Sequence, residues 1–244
     1  MEKNYTIPIN LAFEAGAEDK KCGCPMCSLY RTLEENQLDT ILGGAMMEPD
    51  VRIKTNEEGF CKIHYDMLLG MKNRLSMALT LESHLIELQK GLSPSGLSSL
   101  FANPVARVER LEGSCYVCER VNYHFDRMSE VVISLWKSDD GFVEKFLKQP
   151  YFCLPHYRML VDTAKKMLSK KEASTFEKQI SGIVNAYLAE LSEDVSWFCK
   201  KFDYRYENEP WYNAKDAVER AVIFLRSDLH RSQKDKTRNM GGLS

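Results

Sequence analysis

Apolar residues recur every three or four positions over most of this chain, and few stretches alternate at the two-residue period of a strand, so the pattern predicts a helical protein. From 65 to 90 the positions Leu68, Met71, Leu75, Leu79, Leu85 and Ile86 write one amphipathic stripe. If continuous, the helix would be about 39 Å long at roughly 1.5 Å per residue. A second long helix is written by Phe176, Ile180, Ile183, Tyr187, Leu191, Val195 and Phe198. Shorter helices are predicted at 28–42, 119–136, 156–169 and 214–226. Gly91-Leu92-Ser93-Pro94-Ser95-Gly96 reads as a linker or hinge, and the polar, basic end at 231–244 reads as a disordered tail.

The linker separates two halves that resemble each other. The first contains Cys24-Pro25-Met26-Cys27 and then Phe60-Cys61-Lys62-Ile63-His64-Tyr65; the second contains Cys115-Tyr116-Val117-Cys118 and then Phe152-Cys153-Leu154-Pro155-His156-Tyr157. The CxxC pairs are displaced by 91 residues and the CxxH pairs by 92, with 33 or 34 residues between the pairs of one half. Two motifs recurring in the same order at nearly the same separation point to an internal duplication. The expected architecture is all-α: two related zinc-stapled helical modules with a C-terminal helical extension. Module boundaries fall at 1–92 and 105–210, joined by the linker 93–104 and followed by a C-terminal helix within 211–230.

Thiolate sulfur and imidazole nitrogen suit Zn²⁺, and two ligands separated by two residues converge on one ion from a single turn. Local closure within each half is the simplest assignment: Cys24, Cys27, Cys61 and His64 on one ion, Cys115, Cys118, Cys153 and His156 on the other. Crossed ligation between the halves is the alternative. Four protein ligands leave no open position, which makes a closed structural site rather than a catalytic one. Buried cysteines acting only as small hydrophobes are the bland alternative, and the duplicated spacing speaks against it. An iron–sulfur cluster is the rival cofactor, although such clusters prefer four cysteines. A redox CxxC would want a βαβ context that the helical pattern denies.

Composition narrows the classes further. The chain has 244 residues, 33 basic and 35 acidic, for a net charge of -2. That balance offers no general attraction to nucleic acid or anionic lipid. No run approaches the roughly 20 apolar residues needed to cross a bilayer, and Met1-Glu2-Lys3-Asn4-Tyr5 leads into no apolar leader segment. A cytoplasmic location follows as the expectation, and eight cysteines there point to metal rather than disulfides. Cys22 reads as an idle neighbour and Cys199 as a core thiol. His84, His124 and His230 read as surface or packing residues. In Trp197-Phe198-Cys199-Lys200-Lys201-Phe202-Asp203-Tyr204-Arg205-Tyr206 the aromatics are expected in the core with the lysines reaching outward. No Ser-His-Asp signature, phosphate loop or HExxH motif supports an enzyme.

With Cys24-Pro25-Met26-Cys27, Gly59-Phe60-Cys61-Lys62-Ile63-His64 and the stretch from Trp197 to Trp211 in view, the chain resembles an uncharacterised family of helical proteins from anaerobic Gram-positive bacteria. The likeness runs over nearly the whole chain and implies metal binding at the eight ligand positions. Members are sometimes labelled substrate-binding proteins of ABC transporters. Neither an export signal nor a two-lobed α/β pattern accompanies that label here. The function expected from all of this is a zinc-binding interaction or adaptor protein, with two zinc ions per chain, that binds another protein or itself. The alternatives are an iron–sulfur or thiol-based redox sensor and a nucleic-acid-binding zinc protein.

Overall fold

The structure, a computed structural model, describes residues 3–93 and 103–230. Among these residues there is no strand, and eleven α-helices follow one another. They are α1 (Lys3–Glu18), α2 (Pro25–Leu42), α3 (Pro49–Glu58), α4 (Lys62–Gly70), α5 (Arg74–Leu92), α6 (Pro104–Gly113), α7 (Tyr116–Ser138), α8 (Asp140–Leu147), α9 (Leu154–Met167), α10 (Lys170–Lys200) and α11 (Ala217–Arg226). The all-α expectation holds. One order of elements occurs twice: a helix opening on CxxC, a short helix, a helix opening on CxxH, then a long helix. This is α2–α5 and again α7–α10.

Local chemistry sets many of the boundaries. Prolines at the first helical position open α2, α3 and α6, where a missing N–H costs nothing. Ser169 and Glu172 form a reciprocal capping box at the start of α10. The single helix expected at 65–90 is two, because the chain leaves helical geometry after Gly70 and Asn73 caps α5 through the Ser76 amide. Gly91 and Leu92, read as linker, are the last turn of α5. Of the expected linker 93–104, Ser93 caps the end of α5 and Asn103 and Pro104 begin α6, while 94–102 and the expected tail, 231–244, lie outside the described residues.

The chain divides into two compact units, each assembled from separated stretches: residues up to Tyr30 with Phe125–Leu229, and Arg31–His124 with His230. The boundaries cut through α2 and α7, so the units cross the sequential modules 1–92 and 105–210. In the first unit, α1 carries Ile9 and Phe13 to full burial. Phe13 packs with its ring centroid 4.8 Å from Phe142, 6.1 Å from Phe146 and 6.2 Å from Phe152. Buried Gln149 donates to the Phe13 and Lys145 carbonyls, and α10 contributes Phe176, Ile180, Val184 and Leu191 to the same core.

The second unit is built differently. The buried positions of α5 are Ser76, Met77, Thr80 and His84, whereas Leu75, Leu85 and Ile86 of the expected apolar stripe are exposed. The hydroxyl of Thr80 is satisfied by the Ser76 carbonyl, Ser83 donates to Asn56, and His84 Nδ1 lies 3.1 Å from the Asn56 carbonyl. Small, internally bonded side chains let the polar helix α3 pack against α5 without stranding a donor. Three members of the stripe that periodicity selects, Leu75, Leu85 and Ile86, therefore face outward, while Leu68 on α4 is buried.

Candidate metal centres

Two ligands come from each of four helix starts. Cys61 and Cys153 are the N-cap residues of α4 and α9, with extended backbone angles. Cys24 and Cys115 immediately precede α2 and α7, and their carbonyls accept from the Ser28 and Glu119 amides. In each motif the second ligand, Cys27, His64, Cys118 or His156, lies three residues on, one helical turn away and on the same face. The positive end of the helix dipole lies in that turn, which favours thiolate over thiol.

The grouping departs from the expected local closure. Cys24, Cys27, Cys153 and His156 form one cluster, and Cys61, His64, Cys115 and Cys118 the other. In each, the candidate ligand atoms all lie within 4.8 Å of one another. Each CxxC thus meets the CxxH of the other half. The grouping follows the interleaved units: the first cluster lies wholly in the first unit and the second wholly in the second.

In the first unit, His156 Nδ1 stands 3.6, 3.4 and 3.1 Å from the sulfurs of Cys24, Cys27 and Cys153, and the Cys27 and Cys153 sulfurs are 3.7 Å apart. All four residues are buried. The Asp228 amide donates to Cys27 Sγ at 3.4 Å. Gly23 turns the chain into Cys24 with a φ of 76°, and the Tyr151 hydroxyl sits 3.2 Å from where its Cβ would be.

In the second unit, His64 Nδ1 lies 3.1, 3.2 and 3.4 Å from the sulfurs of Cys61, Cys115 and Cys118, and the Cys61 and Cys118 sulfurs are 3.9 Å apart. Cys115 and His64 are buried while Cys61 and Cys118 are partly exposed. The Tyr116 amide donates to the Gly59 carbonyl, which ties the turn before Cys61 to the turn carrying Cys115 and Cys118. Behind the imidazole, His64 Nε2 is 2.9 Å from Glu34 Oε1, and His230 Nδ1 is 2.6 Å from the same oxygen.

These separations exclude disulfides, whose sulfurs stand about 2.05 Å apart. The sulfur–sulfur distances of 3.7 and 3.9 Å lie close to the edges of a tetrahedron around one ion, about 3.5–3.8 Å for metal–sulfur bonds of about 2.3 Å and metal–nitrogen bonds of about 2.0 Å, and the imidazole–sulfur distances of 3.1–3.6 Å run slightly shorter. The protonation chemistry fits a cation as well. Burial resists charge on His64, but Cys115 and Glu34 override it and hold the imidazole up at about 10. Burial likewise pushes Cys115 up, yet the bond from His64 dominates and brings it to about 6. Cys118 rises through burial and through its Cys115 and Cys61 neighbours. In the first unit, Cys24 is lowered: burial opposes its charge, and bonds from Cys153, Cys27 and His156 outweigh that. Cys153 is pushed up by the sulfurs of Cys24 and Cys27 and then by burial. Each cluster thus sets one thiol that ionises readily, Cys24 or Cys115, beside thiols that hold their protons, Cys27 and Cys153 or Cys118. A divalent ion at the centre would replace those protons.

Cys199 is exposed, not a core thiol, and Cys22 is also exposed. Phe202 and Tyr204 project into solvent at 77% and 86% exposure. The reversal has a local cause: Lys201 turns inward to donate to the carbonyls of Tyr206, Glu207 and Glu209. His230, read as a surface or packing residue, reaches the shell behind a candidate ligand. Glu34 carried no signal at all, because an isolated Glu on a helix reads as surface.

Across residues 1–232 the sequence matches the model of a family of unknown function, DUF6062. The chain belongs to that family. No curated protein and no solved structure matches the chain. Membership agrees with the resemblance to an uncharacterised family and carries neither a source organism nor a transporter role. No helix among the described residues is long and apolar enough to cross a membrane.

Proposed function

We propose that this DUF6062 protein is a non-enzymatic helical scaffold, held together by two structural zinc ions, that binds a partner protein. The observation that carries the reading is the convergence of three sulfurs and one imidazole nitrogen in each of two clusters. Four protein ligands complete a tetrahedral Zn²⁺ site and leave no position for substrate or water. Spacing around a single centre favours one ion over an iron–sulfur cluster, whose several irons spread their ligands around a larger body. Each ion would fasten chain stretches more than a hundred residues apart in the first unit, Cys27 to Cys153, and about fifty apart in the second, His64 to Cys115. Metal binding is then folding energy.

The outward apolar side chains support a partner protein. Leu75, Leu85 and Ile86 on α5 and Val218, Val222 and Leu225 on α11 are exposed, a pattern that marks interaction surfaces when it is contiguous. The near-neutral charge supports protein over nucleic acid. The testing experiment is elemental analysis with an absorption spectrum of protein purified without chelator. About two zinc ions per chain and no visible band are expected, because Zn²⁺ is d¹⁰. Brown protein containing iron and acid-labile sulfide would overturn the zinc reading.

A further inference from the structure

Beyond their CxxC turns, α2 and α7 carry chemically different residues at the place that meets the candidate metal-binding histidine. The seventh residue after the second cysteine is Glu34 in α2 and Phe125 in α7. Each touches a candidate metal-binding histidine in its own unit. Phe125 sets its ring against His156, centroids 5.3 Å apart and planes inclined 64°. Glu34 sets a carboxylate against His64 at 2.9 Å. Glu34 and His64 are 1% and 0% exposed. A carboxylate this deep is costly unless it is bonded. Oε1 is bonded twice, by His64 and His230, while Oε2 is buried without a hydrogen-bond partner among the described residues.

A neutral imidazole carries one N–H and one lone pair, and the hydrogen bond made by one nitrogen decides which is which. With Nε2–H donated to Glu34, the lone pair of His64 lies on Nδ1, the atom that faces three sulfurs. We propose that Glu34 is the positioning residue for the metal held by Cys61, His64, Cys115 and Cys118, that His230 steers Glu34, and that the two metal sites are therefore unequal. The inference rests on the metal reading above. A carboxylate partner makes an imidazole a stronger donor and fixes its orientation. Phe125 offers His156 packing but no acceptor. Cys61 and Cys118 are partly exposed, so competing chelators reach this site, and a firmly held histidine matters most where ligands exchange.

The test titrates the full chain, loaded with Zn²⁺, against a chromophoric chelator and follows the imidazole N–H signals by ¹⁵N-edited NMR. Glu34→Ala should weaken one zinc about 10- to 100-fold, the range seen when such partners are removed, and leave the other unchanged. The affected ion should be the one whose loss perturbs the His64 signal, with its Nε2–H moving out of the strongly hydrogen-bonded region. Glu34→Gln keeps an acceptor oxygen without the charge, and should fall between Ala and wild type while remaining folded. His230→Ala should act in the same direction, more weakly. Unchanged release and an unchanged His64 signal in both Glu34 variants would overturn the proposal. So would equal weakening of both ions, which would mean general destabilisation. Wild-type protein that takes up no zinc is a separate outcome: it would overturn the metal reading first and this inference with it.

Discussion

Cys27 and Cys153 are 126 positions apart in the chain and their sulfurs are 3.7 Å apart in space. That closeness makes crossed ligation a sharp prediction. Cys24→Ser and Cys153→Ser should each reduce zinc from about two ions to about one. Because both belong to one cluster, their double variant should still hold about one. Cys24→Ser combined with Cys61→Ser should hold none. Local closure within each half predicts the opposite for the two doubles, so elemental analysis of the soluble proteins decides between them.

Gly59 closes α3 at a φ of 61°, and its carbonyl receives the Tyr116 amide at 3.0 Å. A Cβ there would stand 3.3 Å from Leu111 Cδ2 and 3.5 Å from His84 Cε1. Gly59→Ala should cost about 1–3 kcal/mol for the positive-φ extended backbone alone, a region that glycine alone adopts readily. Its melting temperature should fall, and the zinc beside Cys61 should bind less tightly, with the first unit's ion unaffected. Gly44→Ala is the control, since beyond its chain neighbours nothing among the described residues lies within 4 Å of its added carbon. Equal melting of the two variants would mean that the turn before Cys61 does not need its glycine.

What the sequence encodes legibly here is whatever a single turn encodes. Cys61 and His64, or Cys24 and Cys27, occupy the cap and first turn of one helix, so their spacing alone describes half a site. Which half joins which depends on contacts such as Cys27 with Cys153, and no local spacing records those. The long helix α10 was legible because Phe176, Ile180 and Leu191 bury at its period. Helix α1 was not, since Pro8 sits inside it and reads as a breaker. Helix α3 leaves no periodic apolar signal because it is polar nearly throughout and buries only Thr55. The buried face of α5 is hidden from periodicity for a related reason: Thr80 and His84 are satisfied by nearby carbonyls, so a polar face turns inward.

Phe13 tests whether α1 belongs to the core of the first unit. It is fully buried against Phe142, Phe146 and Phe152, the last adjacent to Cys153. Phe13→Ala should destabilise by about 3–5 kcal/mol through lost burial and the cavity left behind. In urea denaturation followed by circular dichroism, the transition should move to lower denaturant, and Phe13→Leu should move it less. A curve coincident with wild type would place α1 outside the cooperative core.

Glu172 supplies a pH prediction with a definite sign. Its carboxylate accepts from the Ser169 hydroxyl at 2.7 Å and the Ser169 amide at 2.9 Å, and Lys137 lies 3.2 Å away. The Ser169 bonds, then Lys137, hold it at about 2, below an ordinary value of 4.5. A depressed folded value means that the unfolded chain takes up the proton first. The capping box therefore contributes its full stability above about pH 4.5 and loses it as the pH falls toward about 2. Glu172→Gln removes the titrating charge, so the melting-temperature gap between wild type and variant should be widest near neutrality and narrow below pH 4.5. Acid release of bound metal would lower both proteins together and leave their difference readable. Because the pair is exposed, added salt should shrink the share due to Lys137, while the Ser169 share, made at hydrogen-bond distance, should persist. A gap that stayed constant from pH 7 to pH 3 would show that the α10 cap does not depend on the charge of Glu172.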